Sequence, residues 1–400
     1  MTQARDSLPK SWRLVPLSDA VKFTGGSQPP KDTFINEARD GYVRLIQIRD
    51  YKSDRYKTYI PMDLARRSCT KNDVMIGRYG PPVFQILRGI EGSYNVALMK
   101  AEPLELMDQE YLFYLLRSPR VQRFVVGNSD RTAGQSGVNL DLLNNYKIPL
   151  PPLSEQKRIA GILDKADSIR RKRQQAIGVT EQFRSALFAN LFKSAGGSIK
   201  AFLQGQVPEG WSDVELAKVA DVVDCKHRTP KYADDGPYPV VRPRDVRADG
   251  IDLTQCVRTT QDEFLDLTEN RKPQVGDIVY SRNASFGEAS LVTSTNDFAI
   301  GQDVSLIVPS EVNSVFLHRL LNSPAVKHQL GNMVSGSTFK RVNLKSIRKL
   351  RIPIPPTQQQ EKFAGRIAKN EDQLAQQRTC CDVLDNLFNS LVQRAFRGEL

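Results

Sequence analysis

Two segments of this chain carry residue types that could bind a metal or a nucleotide, and each lacks a member that the chemistry needs. Cys225 and His227 could supply two zinc ligands, but none of the five cysteines forms a CxxC pair, so chance explains their spacing. Segment 331–338, GNMVSGST, has the glycines of a phosphate-binding loop, yet Ser337 stands where a lysine must neutralise the phosphates. The sequence therefore predicts neither a metal site nor a nucleotide site, and no cofactor on this chain.

Segment 79–83, YGPPV, is the nearest approach to a base-modifying motif. An adenine methyltransferase needs a carboxamide or carboxylate before Pro-Pro-aromatic to bind the flipped base, and this segment has neither that group nor the aromatic platform. No acidic cluster with a lysine at a fixed spacing indicates a nuclease. We therefore predict that this chain alone is not an enzyme.

The charge balance favours a polyanionic partner. The chain has 57 Lys and Arg against 45 Asp and Glu, a formal net charge of +12, which is compatible with nucleic acid but also with many solvated surfaces. No apolar run of about 18 residues occurs, and the polar start MTQARDSLPKSW lacks the apolar stretch of a secretory signal. We expect a cytoplasmic protein without a membrane span, whose cysteines are reduced.

Six short matches recur in the same order in the two halves of the chain, which indicates an internal repeat. The matched segments are Trp12 and Trp211, LIQIRD ending at 50 and VVRPRD ending at 245, 72–78 and 276–282, 115–119 and 320–324, 138–140 and 342–344, and 147–152 and 351–356. Their separation grows from 195–199 to 204–205 residues, which predicts extra residues in the second copy between Asp245 and Asp277. Each copy combines short strands with a helix near 111–116 or 315–321, which is typical of an α+β domain.

Each copy ends in a proline-rich corner and continues into a long stretch without proline. Apolar residues there recur at three-four spacing, and we expect the seam of the first stretch to include Ile169 and Phe183. A helix of about 40 residues is roughly 60 Å long. The predicted fold is α+β, with two repeated domains of mixed α/β structure separated by two long antiparallel helices that form a coiled coil with approximate twofold symmetry. The second helix would return the chain towards its start; the alternative is two unrelated surface helices.

Polar and basic residues that could read DNA gather at equivalent places in the two copies. Arginine and lysine reach phosphates and guanine edges, and glutamine pairs with adenine. The candidates are Arg44, Gln47, Arg49, Arg78, Arg131 and Gln135 in the first copy, and Arg242, Arg244, Arg282, Thr338, Lys340 and Arg341 in the second. For any one of them an ordinary surface or ion-pair role is the alternative. The run 170–173, RRKR, is either a solvated helix face or a contact to DNA backbone or an acidic partner.

Three segments of the chain resemble one known family. The junction IPLPPLSEQKRIAGILDKAD, its weaker echo IPIPPTQQQEKFAGRIAKNED and the terminal LVQRAFRGEL are similar to the specificity (S, HsdS) subunit of type I restriction-modification systems. The resemblance covers essentially the whole chain. It implies target-recognition domains at 1–153 and 206–356, a first helical spacer and linker at 154–205, and a second helical spacer at 357–400. The echo departs from the family pattern, because Gln359-Gln360-Glu361 replaces Glu155-Gln156-Lys157.

The resemblance also implies a role and partners. Each domain would read one half of a bipartite duplex target, while the helices set the gap and dock two modification (M) subunits that bind S-adenosylmethionine and methylate adenine; restriction (R) subunits would bring ATP-driven cleavage. The candidate docking residues at the two junctions are Gln156, Lys157, Arg158, Gln360 and Lys362. The alternatives are a single-chain methyltransferase or nuclease with its own recognition module, and a coiled-coil adaptor that does not bind DNA.

Overall fold

The structure is a computed structural model that describes residues 8–132, 135–283, 287–333 and 342–400, with only the backbone described at 130–132 and 135–136. The chain divides into two compact units. Unit 1 comprises Met1–Gln175 and Thr379–Leu400, and unit 2 comprises Ala176–Arg378. Both units combine strands with helices, which confirms the predicted α+β class. None of the helices in the described ranges has the length and apolar character to cross a membrane.

In unit 1 the described strands form two four-stranded sheets, a two-stranded pair and a hairpin. The strands are β1 Arg13–Pro16, β2 Val21–Gly25, β3 Tyr42–Ile46, β4 Tyr59–Pro61, β5 Ser68–Cys69, β6 Val74–Gly77, β7 Gln85–Leu87, β8 Gly92–Tyr94, β9 Leu98–Pro103, β10 Asp130–Thr132, β11 Gln135–Gly137 and β12 Lys147–Leu150. Their sheet orders are β2-β9-β6-β7, β4-β3-β8-β5, β1-β12 and β10-β11. The helices are α1 Gln109–Arg117, α2 Pro119–Gly127, α3 Leu140–Asn145 and α4 Leu153–Ser194, which continues into unit 2.

Unit 2 repeats this arrangement. Its strands are β13 Ser212–Glu215, β14 Ala220–Asp224, β15 Tyr238–Val241, β16 Val257–Thr259, β17 Ile278–Ser281, β18 Ala289–Leu291, β19 Ala299–Ile300, β20 Val304–Pro309 and β21 Arg351–Ile354. They pair as β14-β20-β17-β18, β16-β15-β19 and β13-β21. The helices are α5 Ile199–Leu203, α6 Gln261–Leu267, α7 Ser314–Leu321, α8 Pro324–Met333, α9 Leu344–Arg348 and α10 Thr357–Ala395, whose last residues belong to unit 1.

The strand register confirms the repeat that the sequence predicted. Val21 lies opposite Pro103 where β2 pairs with β9, and Ala220 lies opposite Pro309 where β14 pairs with β20. The final residue of β2, Gly25, therefore corresponds to the final residue of β14, Asp224. Helix α6 lies in the interval between 245 and 277, where the repeat predicted extra residues.

The long helices pack against each other in antiparallel fashion within each unit. In unit 1, Ile159 and Leu163 near the start of α4 share a buried cluster with Phe388 and Val392 near the end of α10. In unit 2, the end of α4 shares a cluster with the start of α10 in the same way, through Leu187, Phe188, Phe192, Phe363 and Ile367. Burial of these apolar faces confirms the predicted coiled-coil pairing.

The predicted seam of α4 was wrong at two positions. Ile169 is 51% exposed and Phe183 is 54% exposed. The buried stripe passes instead through Leu163 and Ile177, because at 3.6 residues per turn a strict seven-residue spacing drifts off the packed face of a long helix.

The glycine that follows each long helix packs against a proline, and this proline lies three residues before a tryptophan. Gly197 follows α4, and a Cβ atom on it would lie 2.7 Å from Cγ of Pro208. Gly398 follows α10 and has a φ of +75°, and a Cβ there would overlap the Pro9 ring. Only glycine admits this close approach. The end of α10 thus lies beside residues 9–12, as the predicted return of the chain requires; Met1 lies outside the described residues.

Candidate nucleic-acid interface

Three of the predicted DNA-reading residues of unit 1 gather around one loop. The Arg44 guanidinium on β3 donates to Asp54 at 2.9 Å. The Gln47 amide donates to the Thr58 hydroxyl at 3.3 Å, and Arg49 donates to the same oxygen at 3.5 Å. These side chains therefore share a surface although the sequence separates them from the loop by about ten residues.

Beside this surface lies an open cleft of about 610 Å³, lined in part by Arg44, Asp50 and Tyr51. Asp50 is 4% exposed; one of its carboxylate oxygens accepts the Gln47 backbone N–H at 2.8 Å. Among the residues that the structure describes, its other oxygen has no hydrogen-bond partner, and neither has the Tyr51 hydroxyl. Burial raises the pKa of Asp50 above its usual range, and the hydrogen bond from Gln47 and nearby arginines oppose this shift. The cleft thus presents guanidinium donors beside a carboxylate acceptor.

An exposed tyrosine of this surface was missed by the sequence analysis. Tyr56 is 56% exposed, and the guanidinium carbons of Arg49 and Arg55 lie 5.9 and 5.2 Å from its ring centre. Aromatic rings flanked by arginine are typical of surfaces on which nucleic-acid bases stack. The signal was present as alternating basic and aromatic residues in YKSDRYK at 51–57.

The equivalent turn of unit 2 ties its arginine to a carboxylate. Arg242 donates through Nε to Asp245 at 2.9 Å, and its backbone N–H donates to the same oxygen at 3.0 Å. Arg244 is mostly exposed and lies 3.9 Å from Asp245. An open cleft of about 350 Å³ adjoins this turn. Arg244 therefore has more freedom to meet a ligand than Arg242.

The paired candidates Arg78 and Arg282 lie at equivalent places but differ in burial. Arg78 is partly exposed after β6. Arg282 is 4% exposed after β17, where it donates to Asp224 at 2.5 Å and to the Val342 carbonyl at 3.1 Å. Direct contact of Arg282 with DNA does not fit this burial, so the prediction for this residue needs correction.

The remaining DNA-reading candidates fall where side chains are not described. Arg131 and Gln135 belong to strands β10 and β11, whose register places Arg131 opposite Ser136. Thr338, Lys340 and Arg341 lie outside the described residues. Their predicted contacts with DNA stay predictions.

Two of the predicted docking residues are buried. Gln156 is fully buried: its amide donates to the carbonyls of Leu106 and Pro151 at 2.8 and 2.9 Å, and its oxygen accepts the Asp108 N–H at 2.7 Å. These bonds fasten the start of α4 to the capping residue of α1. A side chain without exposed surface cannot contact a partner, so the docking prediction needs correction here.

Gln360 repeats this arrangement in unit 2. It is 4% exposed, accepts the Asn313 N–H at 2.8 Å and donates to the Pro355 carbonyl at 2.8 Å. Asn313 caps α7 as Asp108 caps α1. The docking prediction for Gln360 needs the same correction, since both glutamines hold the start of a long helix.

The other predicted docking residues are exposed. Lys157 and Lys362 lie on the open faces of their helices. Arg158 pairs with Glu155 through two nitrogens, at 2.7 and 2.8 Å, and donates to the Leu400 carbonyl at 2.7 Å. These three remain available to a partner.

The basic run of α4 is partly neutralised within unit 1. Arg170 donates to Asp167 at 2.8 Å and to Asp385 of α10 at 3.2 Å, and Arg171 lies 3.4 Å from Asp167. The Arg170–Asp385 pair joins the two long helices, whereas both pairs with Asp167 lie within α4. Arg170 therefore has a structural role, and Arg171 lies on the solvated face of α4.

One group of side chains in the described ranges has the geometry of a metal site. Donor atoms of Asp224, Cys225 and His227 lie within 4.8 Å of one another. One carboxylate oxygen of Asp224 already accepts a hydrogen bond from Arg282 at 2.5 Å, and the other lies 2.9 Å from Nε2 of His227. Burial raises the pKa of the Cys225 thiol, which disfavours the thiolate that a metal needs. The residues therefore give no support to a metal here, and its absence stays a prediction.

The architecture is that of a two-domain recognition protein whose repeated α+β domains are joined by long helices. The family model for the type I restriction modification DNA specificity domain matches twice, at residues 9–178 and 208–379. The chain belongs to this family. It is a specificity subunit with two DNA specificity domains, the arrangement of a protein that recognises a bipartite target.

Similar proteins agree with this assignment. The type I restriction enzyme MjaVIII specificity subunit of Methanocaldococcus jannaschii is 23% identical over 381 residues, covering 90% of this chain and 86% of the relative. The EcoBI specificity subunit of Escherichia coli is 24% identical, covering 98% and 87%. The crystal structure of a type I restriction-modification S subunit from M. genitalium matches with a TM-score of 0.58 at 16% identity, covering 98% of each chain, and so shares the fold.

Proposed function

We propose that residues 1–153 and 206–356 are target-recognition domains that each read one half of a split duplex sequence, and that 154–205 and 357–400 are the helical spacers and linker between them. The observation that carries this proposal is the repeat: two copies of one recognition fold have equivalent helix starts, at Gln156 and Gln360, and equivalent helix ends. Two equivalent readers in one chain suit a target with two half-sites.

The recognition surface of unit 1 is proposed to comprise the residues around the cleft near Asp50, together with Arg78 and the hairpin that carries Arg131 and Gln135. In unit 2 the candidates are Arg242, Arg244, Thr338, Lys340 and Arg341. Arginines in such positions give phosphate affinity and, where they reach guanine, sequence preference.

We infer that this chain is a non-catalytic subunit that acts with partners. Two modification subunits would supply S-adenosylmethionine binding and adenine methylation, and restriction subunits would supply ATP-driven cleavage. Exposed basic residues near the starts of α4 and α10 support docking of the modification subunits at these helix starts. They are Lys157, Arg158 and Lys362. Since its ligand is cellular duplex DNA, we propose that it acts in the cytoplasm.

Mapping of methylated adenines in a host that carries this chain, with and without its gene, tests the function. We expect a split motif that disappears with the gene. The half-sites should lie about one helical turn apart, roughly ten base pairs between centres, and inserting or deleting a few base pairs in the gap should abolish specific binding. A continuous motif, or tolerance of gap changes, would contradict the proposal.

The non-catalytic assignment has its own test. The purified chain, incubated with S-adenosylmethionine and target duplex, should transfer no methyl group until modification subunits are added. Transfer by the chain alone above a no-protein control would contradict it.

A further inference from the structure

The backbones around Arg78 and Arg282 are alike. The carbonyl of Arg78 accepts the N–H of Val138 at 3.1 Å, and the carbonyl of Arg282 accepts the N–H of Val342 at 2.9 Å. The backbones of both arginines therefore hold the segments that begin at Val138 and Val342 against the sheet. Each of these segments directly follows a group of candidate DNA-reading residues. Any difference in role must come from their side chains.

In unit 2 the guanidinium is occupied by the protein itself. Arg282 is 4% exposed, its Nη1 donates to Asp224 at 2.5 Å, and its Nε donates to the Val342 carbonyl at 3.1 Å. The carboxylate neutralises the charge and the carbonyl binds the segment after the loop. Arg282 is thus placed to position that segment, with little of its surface left for a ligand.

In unit 1 the matching carboxylate is missing, because Gly25 takes the place of Asp224. A Cβ atom on Gly25 would lie 3.7 Å from Nη1 of Arg78, at an ordinary contact distance. Within the described part of the chain, the Arg78 side chain has no ion pair or hydrogen bond, and its Nε is buried without a partner. A guanidinium carries five N–H donors and always keeps its charge, so Arg78 has donors that none of the described residues occupies and that a ligand could use.

The surroundings of Arg78 suit nucleic acid. Its guanidinium carbon lies 5.3 Å from the centre of the Tyr79 ring, and Tyr79 is 36% exposed. Tyr79 also forms an isolated bridge to Gly137, at the end of the β10–β11 hairpin. A charged guanidinium beside an exposed ring, at the base of a hairpin that carries basic and amide residues, is an arrangement typical of DNA contacts.

We propose that Arg78 is a DNA-contacting residue of unit 1, that it binds an acceptor oxygen or nitrogen of the duplex, and that Arg282 at the equivalent place is a positioning residue. This inference rests on the proposed function. The two arginines that the sequence presents as a matched pair therefore have different roles, decided by the residue at the end of β2 or β14, one strand removed from the arginine's own strand in the sheet.

The test uses the full chain with its modification subunits and measures equilibrium binding to its mapped target duplex. We expect Arg78→Ala to weaken target binding by about 10- to 100-fold. Gly25→Asp should weaken binding to a similar degree, because it places beside Arg78 the carboxylate that Asp224 provides for Arg282. The double variant should be no weaker than Arg78→Ala alone, since both changes remove the same contact.

Gly25→Asn is the matched control, because it adds nearly the same volume without a charge, and it should bind within about twofold of the parent. Trp12 fluorescence, measured in variants that keep only this tryptophan, verifies that unit 1 is folded. If Arg78 contacts a phosphate, its loss should reduce binding to all duplexes. The slope of the logarithm of the binding constant against the logarithm of the salt concentration should then become shallower by about one. If it contacts a base edge, discrimination at one base pair of the first half-site should be lost. Either result supports the proposal.

Two failures have distinct meanings. A parent complex with no preference for its mapped target over a scrambled duplex would overturn the proposed function. A parent complex with that preference, together with Arg78→Ala and Gly25→Asp variants that bind as well as the parent, would overturn the role of Arg78 alone.

Discussion

The sheets β2-β9-β6-β7 of unit 1 and β14-β20-β17-β18 of unit 2 have the same strand order, yet equivalent positions in the two units carry different chemistry. Gly25 faces Arg78 in unit 1, whereas Asp224 neutralises Arg282 in unit 2. Phe113 of unit 1 corresponds to the buried His318 of unit 2. The apolar faces needed by each fold are repeated, while the Arg282–Asp224 ion pair and the buried imidazole of His318 are not. The same backbone therefore carries an arginine that the protein neutralises in unit 2 and, in unit 1, an arginine without an ion pair to any described residue.

The largest expected difference concerns the Arg282 ion pair. Asp224→Asn leaves a buried guanidinium without its counter-charge, so we expect unit 2 to lose about 3 kcal/mol of its free energy of unfolding. Gly25→Asp in unit 1 should change stability by less than about 1 kcal/mol, because it adds an acceptor to a partly exposed arginine. The chain has two tryptophans, Trp12 in unit 1 and Trp211 in unit 2, so denaturant unfolding followed in single-tryptophan variants measures each unit.

Asp221→Asn is the control for the Asp224 variant, because Asp221 lies on the same strand but is exposed. It should change unfolding by no more than about 0.5 kcal/mol. Equal effects of Asp224→Asn and Asp221→Asn would show that the ion pair does not stabilise unit 2.

Acid should affect unit 2 through His318. This side chain is 4% exposed and donates through Nε2 to the Ala289 carbonyl at 3.0 Å, and burial, aided by the nearby Arg319 charge, lowers its pKa from 6.5 to about 4. The unfolded chain therefore binds this proton at a higher pH than the folded chain. The free energy of unfolding of unit 2 is therefore not reduced by this titration above about pH 6.5. It decreases as the pH falls towards 4, by about 3 kcal/mol in total.

His318→Phe copies Phe113 of unit 1 and removes this titration. The stability difference between parent and variant, followed by Trp211 fluorescence, should change with pH only between about 6.5 and 4. A difference that is constant over this range would contradict the assignment of the acid sensitivity to His318.

The smallest expected contrast lies at the helix starts. Gln156 makes three hydrogen bonds to backbone groups and Gln360 makes two. We expect Gln156→Ala to cost unit 1 about 2 to 3 kcal/mol and Gln360→Ala to cost unit 2 about 1 to 2 kcal/mol, because buried groups lose their partners. Lys157→Ala and Lys362→Ala, which alter exposed neighbours, are the matched controls. A larger loss in unit 2 than in unit 1 would reverse the ranking.

The sequence contained enough to predict the repeat, the α+β class and the two long helices, because matched segments and apolar spacing survive in one dimension. It could not show that Arg282 is buried, because Asp224 lies 58 residues away and meets it only once β14 and β17 have both paired with β20. The same holds for Gln156, which bonds to residues up to 50 positions away. The polar sequence around Gln156 predicts an exposed junction and gives no indication that its side chain is buried among hydrogen bonds. Tyr56 differs from these cases, because the alternating basic and aromatic residues at 51–57 could have predicted its surface role from the sequence.

If each unit reads its own half-site, exchange of one recognition domain should change one half-site of the target and leave the other. The segment from β1 to β12, residues 13–150, is replaced by the matching segment of a relative with a different known target, and adenine methylation is mapped with the modification subunits present. Unit 2 folding in the chimera is verified by Trp211 fluorescence. We expect the first half-site to change to that of the relative while the second half-site stays the same. A change in both half-sites, or in the second alone, would contradict it.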